Sequence, residues 1–87
     1  MKAYLITFRS ITLAQRAEAV LGRNNIQCHV RRTPRWMEER GCGYAVEARL
    51  GDIEQGTAIL RRQGIPYRKT YRMNQDGEVE EPGNDLS

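Results

Sequence analysis

The chain has few cysteines and no long apolar run. The 87 residues include two cysteines, one histidine, one tryptophan and one phenylalanine. Two cysteines form at most one bridge, which excludes a disulfide framework. The longest apolar run lies near Ala3–Ile6, far short of the roughly 20 residues of a membrane helix. The N-terminus shows no signal-peptide pattern. We therefore expect a cytoplasmic protein with reduced thiols and no membrane contact.

Arginine, by contrast, is abundant. Twelve of the fourteen basic residues are arginine, and all fourteen lie between Lys2 and Arg72, where only six acidic residues occur. This body carries a net charge of +8, whereas the last fourteen residues hold five acids and no base. Guanidinium groups bind carboxylates and phosphates through paired hydrogen bonds. The body should therefore attract nucleic acid, an acidic protein or a small anion, unless its arginines are only a solvated surface.

The apolar pattern predicts secondary structure in the order β-α-β-β-α-β. Runs of β-branched and aromatic residues indicate strands, and apolar positions three or four apart after a capping residue indicate helices. The predicted strands are Ala3–Arg9, Ile26–Arg32, Tyr44–Arg49 and Pro66–Met73, and the predicted helices run from a cap at Ser10 or Thr12 to Leu21 and over Ile53–Gln63.

Short, right-handed connections between these elements predict an α+β fold, the ferredoxin-like sandwich. Its four-stranded, mostly antiparallel sheet carries both helices on one face. The other face would then be open to a ligand or covered by a partner, such as a second copy of the chain. A small α/β domain with another strand order is the alternative. We place the domain at residues 1–73 and predict an acidic, disordered tail over Asn74–Ser87.

The last predicted strand carries aromatic and basic residues in alternation. The period of two places Tyr67, Lys69, Tyr71 and Met73 on one face. Sheets of this class can stack bases on aromatic rings and hold phosphates with arginine. The chain has no RNA-recognition signature, however, and the tyrosines could equally lie in the core or in a dimer interface.

The sharpest candidate for chemistry is Cys42, which lies between Gly41 and Gly43. A reactive thiol needs exposure, room for a partner and a lowered pKa. The two glycines leave the thiol sterically open, and Arg35 and Arg40 are near enough in sequence to stabilise a thiolate. Such a thiolate can attack a persulfide or a selenium donor and hold the transferred atom. A structural cysteine in a glycine-rich turn is the alternative.

The second cysteine predicts a different role. Cys28 lies on the apolar side of its strand with Ile26 and Val30, which is typical of a core residue. His29 lies on the polar side of the same strand. Together with Cys42 these residues supply at most three soft ligands, without the paired spacing of a zinc site. We therefore predict neither a metal nor a cofactor.

Taken in order, the motifs resemble the selenium/sulfur (Se/S) carrier protein-like family. The resemblance lies in the opening Tyr4-Leu5-Ile6-Thr7-Phe8, the serine at position 10, a helix rich in alanine and glutamate, Thr33-Pro34-Arg35, and Cys42-Gly43 before a strand. It covers about Lys2 to Met73. The loop departs from the family pattern, since it reads Trp36-Met37-Glu38-Glu39-Arg40-Gly41 where the family carries small, serine-like residues, and it is about one residue longer.

Membership would imply a compact α/β domain that handles sulfur or selenium. By position, Cys42 matches the family's cysteine, Gly43 the following glycine, and Pro34-Arg35 the pair before the loop. The resemblance thus implies a stoichiometric carrier rather than an enzyme, with the atom held on Cys42. It also implies a protein donor, such as a cysteine desulfurase, and a protein acceptor. The alternatives are a regulatory or binding module that works as a homodimer, or nucleic-acid binding through the arginine-rich body.

Overall fold

A computed structural model of the chain describes residues 2–33, 43–73 and 79–80, and all structural statements below concern these residues. Within them lie five strands and two helices. The strands are β1 (Lys2–Phe8), β2 (Cys28–Arg32), β3 (Tyr44–Leu50), β4 (Thr70–Met73) and β5 (Val79–Glu80), and the helices are α1 (Ile11–Arg23) and α2 (Ile53–Arg62).

All strands join one antiparallel sheet with the order β2-β3-β1-β4-β5. β1 lies at the centre, where Phe8 pairs with Tyr44 of β3 and Leu5 pairs with Tyr71 of β4. The first four strands and two helices follow the order β-α-β-β-α-β. This arrangement confirms the predicted α+β, ferredoxin-like fold.

Both helices begin at a capping side chain. Ser10 accepts a hydrogen bond from the Leu13 amide, and Asp52 accepts one from the Glu54 amide. These side chains satisfy amides that have no partner within the helix. Of the two caps that the sequence allowed for α1, Ser10 is the one used.

Both helices also end in the same way, in a left-handed residue followed by a buried isoleucine. Asn25 and Gly64 have φ values of 65° and 70°. The next amides, of Ile26 and Ile65, each donate a 3.0 Å hydrogen bond to a leucine carbonyl five residues back. This is the Schellman motif, which returns the chain toward the core.

The main core lies between the helices and one face of the sheet. Alternate residues of β1 and β3 point toward the helices, and the apolar stripes of α1 and α2 pack on them. Its strand residues include Tyr4, Ile6, Phe8, Val46, Ala48 and Leu50, and its helix residues include Ala14, Ala17, Val20, Leu21, Ile59 and Leu60.

The opposite face has its own small buried cluster. Leu5 and Ala45 are fully buried there, and Tyr71 is 6% exposed. The prediction that this face is open, or covered only by a partner, is therefore wrong at its centre, because these side chains are buried within the single chain.

Two predicted strands begin later than expected. β2 starts at Cys28 and β4 at Thr70, because Ile26 completes the end of α1 and the residues before Thr70 bond to Thr7 outside the regular ladder. Tyr67 consequently packs against the main core, whereas Tyr71 packs against the cluster on the opposite face. The prediction of one stripe containing both tyrosines is wrong.

The segment after Met73 contributes a short edge strand. Val79–Glu80 pair with Arg72 and Met73 of β4, although disorder was predicted for this part of the chain. Residues 74–78 and 81–87 lie outside the described residues, so the domain boundary at residue 73 stays a prediction.

Candidate functional site at the Gly43 end of the sheet

Three neighbouring strands meet at the end of the sheet that carries Gly43. Arg32 of β2 and Phe8 of β1 both lie opposite Tyr44, the first residue of β3. One step beyond this row, the Thr33 amide donates a 3.1 Å hydrogen bond to the Gly43 carbonyl. This bond extends the β2–β3 ladder to the residue that directly follows Cys42, so the sheet fixes where the Cys42 segment rejoins the fold.

Of the predicted site residues, Gly43 alone belongs to the part of the chain that the structure describes, and it is partly exposed. Arg35, Arg40, Gly41 and Cys42 lie outside the described residues, so their roles stay predictions. The structure shows the two hydrogen-bonded residues, Thr33 and Gly43, that flank this segment in the sequence.

Thr33, the residue that follows β2, has a buried hydroxyl without a hydrogen-bond partner. It is 4% exposed, and its hydroxyl oxygen is buried with no hydrogen-bond partner. Buried polar groups are nearly always paired, because leaving one unpaired costs about 1–3 kcal/mol. The Thr33 hydroxyl is such an unpaired group, at the residue that follows the last residue of β2.

The same end of the sheet is rich in cationic side chains. The Arg32 guanidinium lies 5.5 Å from the centre of the Tyr44 ring, a cation–π contact. Arg9 follows β1, and Arg68 and Lys69 precede β4 and bond through their backbone to Thr7. Clustered arginines favour anionic partners and the anionic forms of nearby groups.

Cys28 differs from a reactive thiol in both place and state. It lies at the opposite end of β2 from Arg32, roughly 13 Å away at about 3.3 Å per residue. Its Sγ is 3.5 Å from the Glu18 carbonyl oxygen, as a donor. Burial, together with the negative charge of Glu18, raises the pKa of the Cys28 thiol above its ordinary value. Cys28 packs against the core, as predicted, and its thiol is a poor nucleophile at neutral pH.

The polar residues of β2 and β3 on the helix-free face form an ion-pair cluster. Arg31 donates to Glu47 at 2.9 Å, and His29 lies 3.7 Å from the same carboxylate oxygen. In the described part of the chain no group of three or more histidine, cysteine or acidic residues could hold a metal ion. Because His29 and Arg31 belong to β2 and Glu47 belongs to β3, this ion-pair cluster links the two strands.

Tyr67 and Tyr71, which the sequence placed on one strand face, do not form a base-stacking surface. Tyr71 is 6% exposed and its ring lies in the cluster with Leu5 and Ala45. The hydroxyl of Tyr67 accepts a 3.1 Å hydrogen bond from Arg61, and its ring packs on the opposite side of the sheet. A nucleic acid could not use both rings together.

One feature of this end was missed by sequence reasoning. A cleft lies between the start of α1 and the segment before β4, and its described lining is Arg9, Leu13, Pro66, Tyr67 and Arg68. The first two of these residues lie more than 50 positions from the other three in the chain, and no motif links the two groups. Only the pairing of β1 with β4 brings them together.

The protein is a small α+β domain of the ferredoxin-like arrangement, with several basic residues at one end of its sheet. Across its body, residues 3–72, the chain matches the sequence profile of the family described as "Putative Se/S carrier protein-like". The chain belongs to this family, which confirms the resemblance in its motifs. No curated protein and no solved structure matches the chain. None of the helices in the described ranges is long and apolar enough to span a bilayer.

Proposed function

We propose that the protein carries sulfur or selenium on Cys42, as a persulfide or selenopersulfide, and passes the atom between proteins. The observation that carries this proposal is the family match, which spans Cys42 and Gly43 together with most of the chain. Cys28 supports it by exclusion, since burial and the Glu18 charge keep that thiol protonated. Cys42 is then the one remaining cysteine of the sequence.

The transfer is a thiol exchange without net oxidation. The Cys42 thiolate attacks the outer sulfur of a donor persulfide, the donor's S–S bond breaks, and its electron pair leaves with the donor thiolate. A new S–S bond then holds the sulfur on Cys42. An acceptor thiolate attacks the same outer sulfur and releases the Cys42 thiolate. Selenium would follow the same steps, with a selenium atom in the outer position.

The protein supplies position and charge for these steps. The Thr33–Gly43 hydrogen bond anchors the Cys42 segment at the sheet end. Arg35 and Arg40 would favour the thiolate and the anionic perthiol, and Gly41 and Gly43 would leave the sulfur accessible to two protein partners. A cysteine desulfurase is the class of donor that makes protein persulfides from cysteine.

The test is the intact mass of the protein under non-reducing conditions after incubation with a cysteine desulfurase and cysteine. We expect wild type to gain one sulfur atom, which a reductant removes. Cys42→Ser should gain none. The matched control Cys28→Ser should gain the atom as wild type does, because the Cys28 thiol is half-buried and lies at the opposite end of β2 from Arg32.

Two results would contradict the proposal: no gain on wild type, or a gain that Cys28→Ser abolishes and Cys42→Ser does not. The roles of the arginines are read from the pH dependence of Cys42 alkylation in Cys28→Ser. Replacing Arg35 or Arg40 by glutamine should shift this profile to higher pH, because the thiolate loses a neighbouring positive charge. An unchanged profile in both variants would remove the arginines from the mechanism.

A further inference from the structure

The cleft at the start of α1 has room for a small ligand. Its volume is about 220 Å³. Pockets for drug-sized ligands begin near 300 Å³. A ligand that fills this cleft is therefore no larger than an amino acid.

Hydrogen bonds hold the two walls of the cleft in place. The Arg68 amide donates to the Thr7 carbonyl at 2.8 Å, and the Lys69 amide donates to the Thr7 hydroxyl oxygen at 3.0 Å. These bonds fix the segment before β4 against the end of β1. On the other side, Ser10 caps the first turn of α1.

The rest of the described lining is apolar or aromatic. Leu13 and Tyr67 are partly buried and pack against the main core. The Tyr67 hydroxyl accepts a 3.1 Å hydrogen bond from Arg61. Pro66 completes the lining and has little conformational freedom. This surface can cover the hydrocarbon part of a ligand but adds nothing to the binding of a bare inorganic ion.

The described lining of the cleft includes two arginines. These are Arg9 and Arg68, and the other lining residues that the structure describes carry no charge. α1 has no acidic residue in its first turn, whereas α2 has Glu54. The partial positive charge at the start of α1 is therefore not neutralised by its own side chains. A ligand with a carboxylate toward the arginines and a stem on Leu13 and Tyr67 matches both parts of the lining.

We propose that this cleft binds a small organic carboxylate with a short apolar stem. The site lies at the same end of the sheet as Gly43, since Arg9 follows Phe8 and Phe8 pairs with Tyr44. The proposal does not rest on chemistry at Cys42. It would stand if sulfur transfer failed, and the two experiments share no readout.

The test is an NMR titration of the full chain with benzoate, acetate and sulfate at constant ionic strength. We expect benzoate to give saturable shifts at the amides of Ile11, Thr12, Leu13 and Arg68, with weaker binding of acetate and sulfate. Arg9→Gln and Arg68→Gln should each weaken benzoate binding about threefold or more, as for a partly exposed ion pair. Arg23→Gln is the control, because Arg23 is exposed and lies at the other end of α1.

Benzoate binding that is equal in Arg9→Gln and Arg23→Gln would overturn the proposal, and so would sulfate binding as tight as benzoate. Absence of saturable shifts at the cleft would do the same. A carboxylate can come from a free acid or from the C-terminus of a partner chain, so a tripeptide ending in phenylalanine is titrated in parallel. Tighter binding of benzoate identifies a free acid as the ligand, and tighter binding of the tripeptide identifies a chain terminus.

Discussion

At the scale of single residues, Thr33 is a buried polar position that lowers the stability of the fold. Its side chain is buried and its hydroxyl has no partner, yet valine has nearly the same shape without the polar atom. Stability alone would favour the apolar residue here.

We expect Thr33→Val to raise the free energy of unfolding by about 1 kcal/mol, because it removes an unpaired buried hydroxyl. Thr33→Ser keeps the hydroxyl and loses a buried methyl, so it should lower stability by about 1 kcal/mol. Chemical denaturation of the three proteins measures both changes. A loss of stability in Thr33→Val comparable to that in Thr33→Ser would show that the hydroxyl is satisfied in solution.

At the scale of the elements, a residue in the left-handed conformation follows each helix. Gly22 and Gly64 both have open space where a Cβ would be added. They differ in conformation, since Gly64 has a φ of +70° and follows α2, whereas Gly22 lies inside α1. The two positions can therefore be compared without a steric difference, and they differ in φ and in whether the residue is helical.

Alanine should therefore have opposite effects at the two positions. We expect Gly22→Ala to stabilise the protein by about 0.5–1 kcal/mol through helix propensity. Gly64→Ala should destabilise it by roughly 1–2 kcal/mol, the cost of a left-handed conformation for an L-residue. Thermal unfolding reports both, since 1 kcal/mol corresponds to about 4–8 °C in a domain of this size. Effects of the same sign would exclude φ as the cause.

At the scale of the whole molecule, the sheet is packed on its helix face and also at the centre of its other face. The helices cover one face, and the cluster of Leu5, Ala45 and Tyr71 occupies the centre of the other. A simple two-layer sandwich would expose these three residues. Their burial means that the stability of the domain depends on the helix-free face as well.

We expect Leu5→Ala to destabilise the protein by about 2–5 kcal/mol, as for a leucine in a closed core. Leu21→Ala on the helix face should cost a similar amount, because Leu21 is also fully buried. Ile11→Ala is the control, since Ile11 is 41% exposed and should change stability little. Urea denaturation compares the three. A cost for Leu5→Ala as small as that of Ile11→Ala would show that the helix-free face is open in solution.

The local sequence pattern was sufficient to predict most of the secondary structure and its order. The run Tyr4 to Phe8 forms a central strand because it is apolar on both faces, and Ser10, Asp52 and Gly64 mark helix ends through their own side-chain or backbone chemistry. The assignment of Cys28 to the core also followed from alternation along one strand. The candidate thiol, Cys42, was found from its two glycine neighbours and from a short family motif.

Contacts between distant residues were beyond that reasoning. Tyr67 and Tyr71 belong to opposite sides of the sheet because the backbone around Lys69 bonds to Thr7 and delays the start of β4. The cleft between Arg9 and Arg68 exists only because β1 and β4 pair. The sequence by itself determined the elements, their order and the likeness to a family, since these depend on near neighbours. Only the tertiary structure decided which arginines share a cleft and which hydroxyl is left unpaired, because those depend on strand register.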